Sequence, residues 1–365
     1  MNLVRAVSAR APVNGAGAVP ETTPVNAAGS AGRRGLPIAQ EPAGTTGPGV
    51  PVDRLAPGRY TIDGIPEAVT GHAGAADMLP VGSPGKVGVL ELEFARTERR
   101  TELTGHYQKS PLQIMRPLYY DERRPGTAYV TLMTSGGGVV QGDRYRMDLT
   151  CGPGTEVNLT TQAATKIYKM EQDHATQLVT LTAGRESYVE YIPHATIPFA
   201  RSRFYQRVRL VADPSATVVL GDSMLAGRLA RGERNDYDAY CSDLEVSRPD
   251  GKTVFVDTVR LVPAEGGVTG PAVLGGFGVM GTLFVVTGAV PAPVLADTLH
   301  EALTPLTART PGRLRAGASV LPHDSGAWVR ILGEESPEVE AALRGAWDAV
   351  RRLLVGAPVP ARRRP

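Results

Sequence analysis

The stretch TSGGGVVQGDRYRM, Thr134 to Met147, places Gly136, Gly138 and Gly142 just after the strand-like run AYVTLM. A glycine loop in that position can cradle phosphate. Here the P-loop pattern is absent, so there is neither a lysine to meet the phosphates nor a hydroxyl to hold Mg²⁺. The glycine spacing also departs from the dinucleotide fingerprint, and a strand follows where a helix N-terminus should receive the pyrophosphate. The stretch reads as a tight turn between strands, closed by Asp143. Metal chemistry has a different signature. The histidines His72, His106, His174, His194, His300 and His323 form no HxH or HExxH pattern, and Cys151 and Cys241 share no CxxC spacing. A closed transition-metal cluster and a disulfide scaffold are therefore both unsupported. Carboxylates are more numerous, with Asp143, Asp148, Glu190, Asp222, Glu233, Asp236 and Asp238 in or beside a strand-rich region. Each can simply be solvated or paired with arginine. Several converging would make a weak, labile site for a divalent cation, suited to passing a metal on.

A second constellation points to hydrolysis. Gly221-Asp222-Ser223-Met224 is one residue from the GDSL block of the SGNH hydrolases, and Asp297-Thr298-Leu299-His300 supplies their D-x-x-H. Ser223 would be the nucleophile, His300 the base and Asp297 its orienting carboxylate. Against this, that family's serine block opens its domain, whereas a long strand pattern precedes Ser223, and the GxND oxyanion block has no counterpart. A carbohydrate-binding β-solenoid is a third reading, for binding alone.

Positioning any of these groups falls to a series of short strands. VGVLELEF alternates in character from Val87, and in RYRMDLT Arg144, Arg146 and Asp148 share one face while Tyr145, Met147 and Leu149 share the other. EVNLTTQ, QLVTLTA, SYVEYI, FYQRVRLV, TVVLGD and TVFVDTVRL follow, separated by turn signals such as GPG, AGRE, DPS and RPDG. Three strand-turn-strand units begin at Leu149, Leu181 and Leu210, at nearly equal intervals. Such a repeat fits a solenoid better than a β-sandwich, although sandwich hairpins also recur regularly. After Gly281 the pattern turns helical. PAPVLADTLHEALTPL supports one helix, and Ser336-Pro337-Glu338 opens another with a capping serine, a first-turn proline and an acid on the dipole. Val339, Leu343, Trp347, Val350 and Leu354 then form a stripe that should pack on a sheet. RLRAGASVL and AWVRIL read as late strands between the helices.

Residues 1–85 are rich in Ala, Gly, Pro, Thr and Val, with no aromatic before Tyr60, and read as a flexible extension. Residues 357–365 form a basic tail with Arg362, Arg363 and Arg364. Lys and Arg total 39 against 37 Asp and Glu, a balance that argues against a dedicated nucleic-acid protein. No apolar run reaches the ~18 residues of a membrane span, and a cytosolic location is expected.

The segment GGGVVQGDRYRMDLTCGPGTEVNLTTQAATKIYKM resembles the urease accessory protein D family, called H in some bacteria. QKSPLQIMRPLYYDE upstream, and SYVEYIPHATIPFARSRFYQR, GRLARGERNDYD and LGGFGVMGTLFV downstream, match further blocks in order. LTTQAATKIY is the most specific piece. Gln141 stands where the family more often has a small residue, and Asp222-Ser223 replace a stretch that usually carries Glu. The resemblance implies an all-β, right-handed β-helical body over residues 86–356 with two C-terminal α-helices. It implies a non-enzyme, a chaperone that joins the F and G accessory proteins on apo-urease, with metallochaperone E able to join through that complex. G hydrolyses GTP while nickel passes through the D protein, which binds it transiently and keeps no permanent cofactor. Carried over by matched block, Asp143, Glu190 and Glu233 are metal-path candidates. Thr161, Gln162, Lys166 and Tyr168 are tunnel or interface candidates, with Arg201 and Arg228 as ion-pair partners.

Overall fold

The structure is a computed structural model that describes residues 53–71 and 87–361. Its strands are β1 (Val87–Arg96), β2 (Thr101–Lys109), β3 (Leu112–Ile114), β4 (Ala128–Thr134), β5 (Arg144–Cys151), β6 (Glu156–Thr161), β7 (Thr165–Ile167), β8 (Ala175–Ala183), β9 (Tyr188–Tyr191), β10 (Thr196–Pro198), β11 (Arg203–Ala212), β12 (Thr217–Leu225), β13 (Ala239–Ser247), β14 (Thr253–Leu261), β15 (Val279–Val286), β16 (Leu314–Val320) and β17 (Gly326–Gly333). The α-helices are α1 (Glu67–Thr70), α2 (Ala292–Arg309) and α3 (Ser336–Val355).

From β4 to β13 the chain passes back and forth between two facing sheets, adding one strand to each in turn. The first sheet has the order β14-β13-β11-β8-β5-β1-β2, the second β16-β17-β15-β12-β9-β6-β4-β3. Pairing is parallel through β1, β5, β8, β11 and β13 in one sheet and through β4, β6, β9 and β12 in the other, with antiparallel strands at the ends. Parallel neighbours joined by return passes through an opposite sheet are coils of a solenoid.

The repeat read from the sequence is the register of these coils. Leu149 pairs with Leu181 and Leu181 with Leu210, while Leu92 and Val246 extend the row at its two ends. All five side chains are buried, so the row is a continuous apolar ladder through the core. The turns stack as well. A Cβ on Gly184 would come within 2.8 Å of the Gly152 carbonyl carbon and the Pro153 nitrogen, a backbone approach that only glycine permits.

Each inward face packs against the other sheet. The outward face of the second sheet is covered by α2 and α3 through Val219, Leu283, Val329, Ile331, Leu295, Leu299, Val339 and Val350. This is why β15 was invisible to a search for alternation: all eight of its residues are buried, between the interior and the helices. The apolar stripe of α3 does pack on the sheet, but Ser336 is not its cap. Glu335 occupies that position with no side-chain capping bond, and the Ser336 hydroxyl bonds Glu340 at 2.9 Å.

Within the stretch read as a flexible extension, residues 53–71 lie on the outward face of the first sheet. Tyr60, Ile62 and Val69 are buried there against Val87, Val89, Leu178, Tyr205 and Cys241. These few apolar side chains supply packing that the average composition of a long Ala-, Gly- and Pro-rich segment concealed. Residues 1–52 and 72–86, and the arginines of the basic tail, lie outside the described residues. The tail's first residues dock on α3: Ala357 and Val359 are buried, and Arg344 and Arg351 donate to the carbonyls of Pro360 and Pro358 at 3.1 Å each.

Candidate functional site

The core ladders enclose a cavity of about 280 Å³ lined from both sheets. Its inward positions follow the strand alternation two rungs away from the apolar ladder, beyond the row of Met147, Val179, Val208 and Leu244. On the first sheet Tyr145 is in register with Gln177, Gln177 with Gln206, and Gln206 with Ser242. On the second, Asp222 is in register with Thr282 and Thr282 with Arg330. Asp257 faces in from β14, and Arg330 reaches across to bond both of its carboxylate oxygens at 3.2 and 2.9 Å. Gln206 donates to Ser242 Oγ at 3.1 Å and lies 3.5 Å from Asp222 Oδ1. A file of polar groups therefore runs along the cavity between rows of aliphatic side chains. Burial raises the Asp222 pKa above the ordinary carboxylate value, the Gln206 hydrogen bond opposing and the nearby Asp257 charge adding to the rise.

One end of the cavity opens at the loop of Gly136 to Gly138 and the segment from Gln162 to Lys166, whose outer residues are exposed. The glycine run holds this mouth in shape. Val139 N–H donates to the Lys166 carbonyl and Tyr168 N–H to the Val139 carbonyl, both at 2.8 Å. A Cβ on Gly138 would stand 2.5 Å from that Lys166 oxygen and 2.7 Å from the Tyr168 ring. Thr161, Gln162 and Lys166 all line the mouth, with His194 beside Thr161 at 3.4 Å. Tyr168 stands behind it, donating to the Gly137 carbonyl at 3.2 Å and packing edge-on against Phe199.

The three metal-path carboxylates sit elsewhere and apart. Asp143 is buried at the end of the glycine turn, where its Oδ2 accepts from Val140 N–H and the Tyr145 hydroxyl at 2.9 Å each. Glu190 points away from the cavity, because Tyr191 takes the inward position on β9. Under α3, its carboxylate accepts from Arg351 at 3.0 and 3.1 Å, Trp347 at 2.7 Å, Asn158 at 2.8 Å and Tyr188 at 2.9 Å. Arg351 also holds buried Asp121 at 2.6 Å. Glu233 pairs with Arg228 at 2.7 Å, and that guanidinium lies over the Phe199 ring. Arg201 is exposed; its backbone takes a left-handed conformation and bonds the Asp236 carbonyl. Among the described residues no group of three or more His, Cys, Asp or Glu side chains is arranged to hold a metal ion. Both cysteines are free and buried, burial pushing Cys151 up to about 12 and Cys241 up to about 11.

The hydrolase residues do not assemble. Ser223 faces the helix layer, opposite Asp222 on its strand, while Asp297 and His300 are exposed on α2 and no hydrogen bond joins either to Ser223.

A family model described as UreD urease accessory protein matches residues 86–365. The chain belongs to this family. Among its relatives, the protein named urease accessory protein UreD 2 from Streptomyces griseus subsp. griseus is 54% identical over 295 residues, covering 80% of this chain and 99% of the relative. A protein of the same name from Brucella suis biovar 1 is 37% identical over 286 residues, covering 78% and 93%. Urease accessory protein UreD from Haloarcula marismortui is 38% identical over 305 residues, covering 84% and 96%. The UreD block LTTQAATKIY builds β6, β7 and the cavity mouth between them. Sequence reasoning missed Gln206, Ser242, Asp257 and Arg330, although a signal was present. Each is a polar residue at an inward position of its strand, as Asp257 is between Phe255 and Val259.

Proposed function

We propose that this chain acts in urease maturation, and that its interior cavity is a passage for Ni²⁺ toward apo-urease. It works in the cytoplasm with the F and G accessory proteins, GTP hydrolysis by G accompanying nickel insertion, and E delivering nickel through the same complex. A role in urease maturation is the part that family membership supports directly. The passage rests on one observation, the file of polar side chains that threads an otherwise largely apolar interior. Carboxylate, amide and hydroxyl oxygens are weak ligands for a borderline cation, so they let it exchange rather than trap it. A closed thiolate or imidazole cluster would hold the ion too tightly to hand on.

The test is to block the file without touching the surface. Ser242 is buried at its centre, in register between Gln206 and Val259. In cells co-expressing urease and the other accessory proteins, Ser242→Phe should still be recovered in complex with F and G but should lower urease nickel content at least about tenfold, a loss on the scale of one barrier of ~1.4 kcal/mol. Nickel content at the parent level, with the complex intact and the variant folded, would remove the passage reading.

A further inference from the structure

At the far end of the cavity, where Asp257 lines it, an ion pair joins the two sheets. Asp257 belongs to β14, the edge strand of the first sheet, and Arg330 to β17, next to the edge of the second. Their contact spans the gap between the sheets where the solenoid ends. It differs in kind from the other inter-layer arginine. Arg351 is fully buried and bonded to Glu190, Asp121 and the Pro358 carbonyl. Arg330 keeps 30% of its side-chain surface exposed and Asp257 26%, and the carboxylate is the only hydrogen-bond acceptor of Arg330 among the described residues. Among the described residues the Arg330 Nε has no hydrogen-bond partner, and the guanidinium carbon lies 5.3 Å from the centre of the Trp328 ring, a face that can support the cation once it leaves the carboxylate.

Charge and donor chemistry complete the picture. Asp222 and Asp257 interact electrostatically across the cavity, and Arg330 neutralises one of the two charges. A divalent cation in place of the guanidinium would neutralise both. Gln206, Ser242 and Thr282 stand beside them with neutral oxygens.

We infer that the Arg330–Asp257 pair is a cation-displaceable gate: it closes this end of the cavity until a divalent cation, taken between Asp222 and Asp257, replaces the guanidinium. The inference rests on the passage reading above and adds how the passage is kept shut. In the resting state the arginine excludes other cations and solvent from the end of the file. The arriving ion supplies the charge that releases it, so opening is coupled to loading.

Titration of the purified full chain with Ni²⁺ alone, followed by calorimetry, tests the gate. Arg330→Gln removes the competitor but leaves both carboxylates, so apparent affinity should rise about fivefold, the factor expected when a partly exposed ion pair no longer has to be broken. Asp257→Asn in the same background should abolish the gain, and Arg330→Lys should bind like the parent. Equal or weaker binding by a folded Arg330→Gln overturns the gate. Should that variant fail to fold, Asp257→Asn alone decides: weaker Ni²⁺ binding supports the gate, and unchanged binding overturns it. The two readings fail separately. Normal nickel transfer by Ser242→Phe would remove the passage, whereas blocked transfer by Ser242→Phe with no affinity gain in Arg330→Gln would remove only the gate.

Discussion

Asp222 is a carboxylate whose surroundings work against its charge. Burial in the interior is the largest influence and raises its pKa; the Gln206 amide and Arg330 oppose the rise, and Asp257 adds to it. With the folded-state pKa above the unfolded one, the folded protein binds the proton more tightly than the unfolded chain. The stabilising contribution is therefore full below the unfolded value, near about 4, and is lost as pH rises through the folded value. Asp222→Asn mimics the protonated form. It should raise stability toward urea at pH 7 and have little effect at pH 3.5, with the difference growing between the two. A pH-independent effect in equilibrium unfolding would show that the charge of Asp222 is not at issue. At this scale the sequence was half legible. Asp222 stood out as a carboxylate in a strand region, but nothing in a single strand says that its inward neighbours across the sheet are Thr282 and Arg330. The carboxylates of Asp143, Glu190 and Glu233 came from matched blocks; neighbours in the chain occupy Asp143 and Glu233, but Glu190 is held from segments far away. Arg351, the principal partner of Glu190, lies 161 residues downstream.

The seating of α3 depends on buried charge. Val339, Ala342, Ala346 and Val350 seat it on the second sheet, and Arg351 carries a full charge into the same interface. Two carboxylates, Asp121 and Glu190, share that guanidinium, while Tyr129 donates to Asp121 and Tyr188, Asn158 and Trp347 donate to Glu190. Such a network adds little stability when complete, yet removing one partner leaves uncompensated charge. Arg351→Met keeps the volume and strands two buried carboxylates, so it should cost about 3–5 kcal/mol in equilibrium unfolding. Hydrogen exchange should show the loss first in α3 and residues 357–360. A cost below about 1 kcal/mol would mean that the carboxylates protonate or reach water without penalty. The periodicity of this helix was plain in the sequence. Its charged residue was not, because Arg351 follows Val350 directly and an arginine there ordinarily reads as the solvent side of an amphipathic helix. The start of the helix was misread for a related reason: a serine before proline and glutamate has the composition of a cap, and only backbone geometry shows that the chain enters one residue earlier.

On the scale of the molecule, the solenoid was legible because its repeat is local. Each coil recurs at a spacing the sequence displays, and the same spacing sets the register of Leu149, Leu181 and Leu210. What covers the solenoid was harder to see, since the cover on the first sheet comes from a short segment within a stretch rich in Ala, Gly and Pro. Residues 53–71 bury Tyr60, Ile62 and Val69 there and are tied down by Arg207 to the Asp63 carbonyl at 2.8 Å and Arg54 to Glu91 at 2.8 Å. The two cysteines report on this cover independently. Cys241 lies beneath it, in a cluster with Ile62 and Val69, and burial pushes its thiol up to about 11. Cys151 lies between the sheets, where no change at the outer face reaches it, and burial pushes it up to about 12. Deleting residues 1–71 should let the Cys241 thiol fall toward the free value near 8.5, which raises its thiolate fraction near neutral pH by about two orders of magnitude. Its alkylation rate should rise at least as much, since access improves together with ionisation. Cys151 should remain unreactive in the same sample and so reports whether the solenoid is still folded. Equal, slow labelling of both thiols would mean that Cys241 is protected by its own sheet alone and that the segment contributes no cover; fast labelling of both would mean that the cover is needed for the solenoid itself to hold.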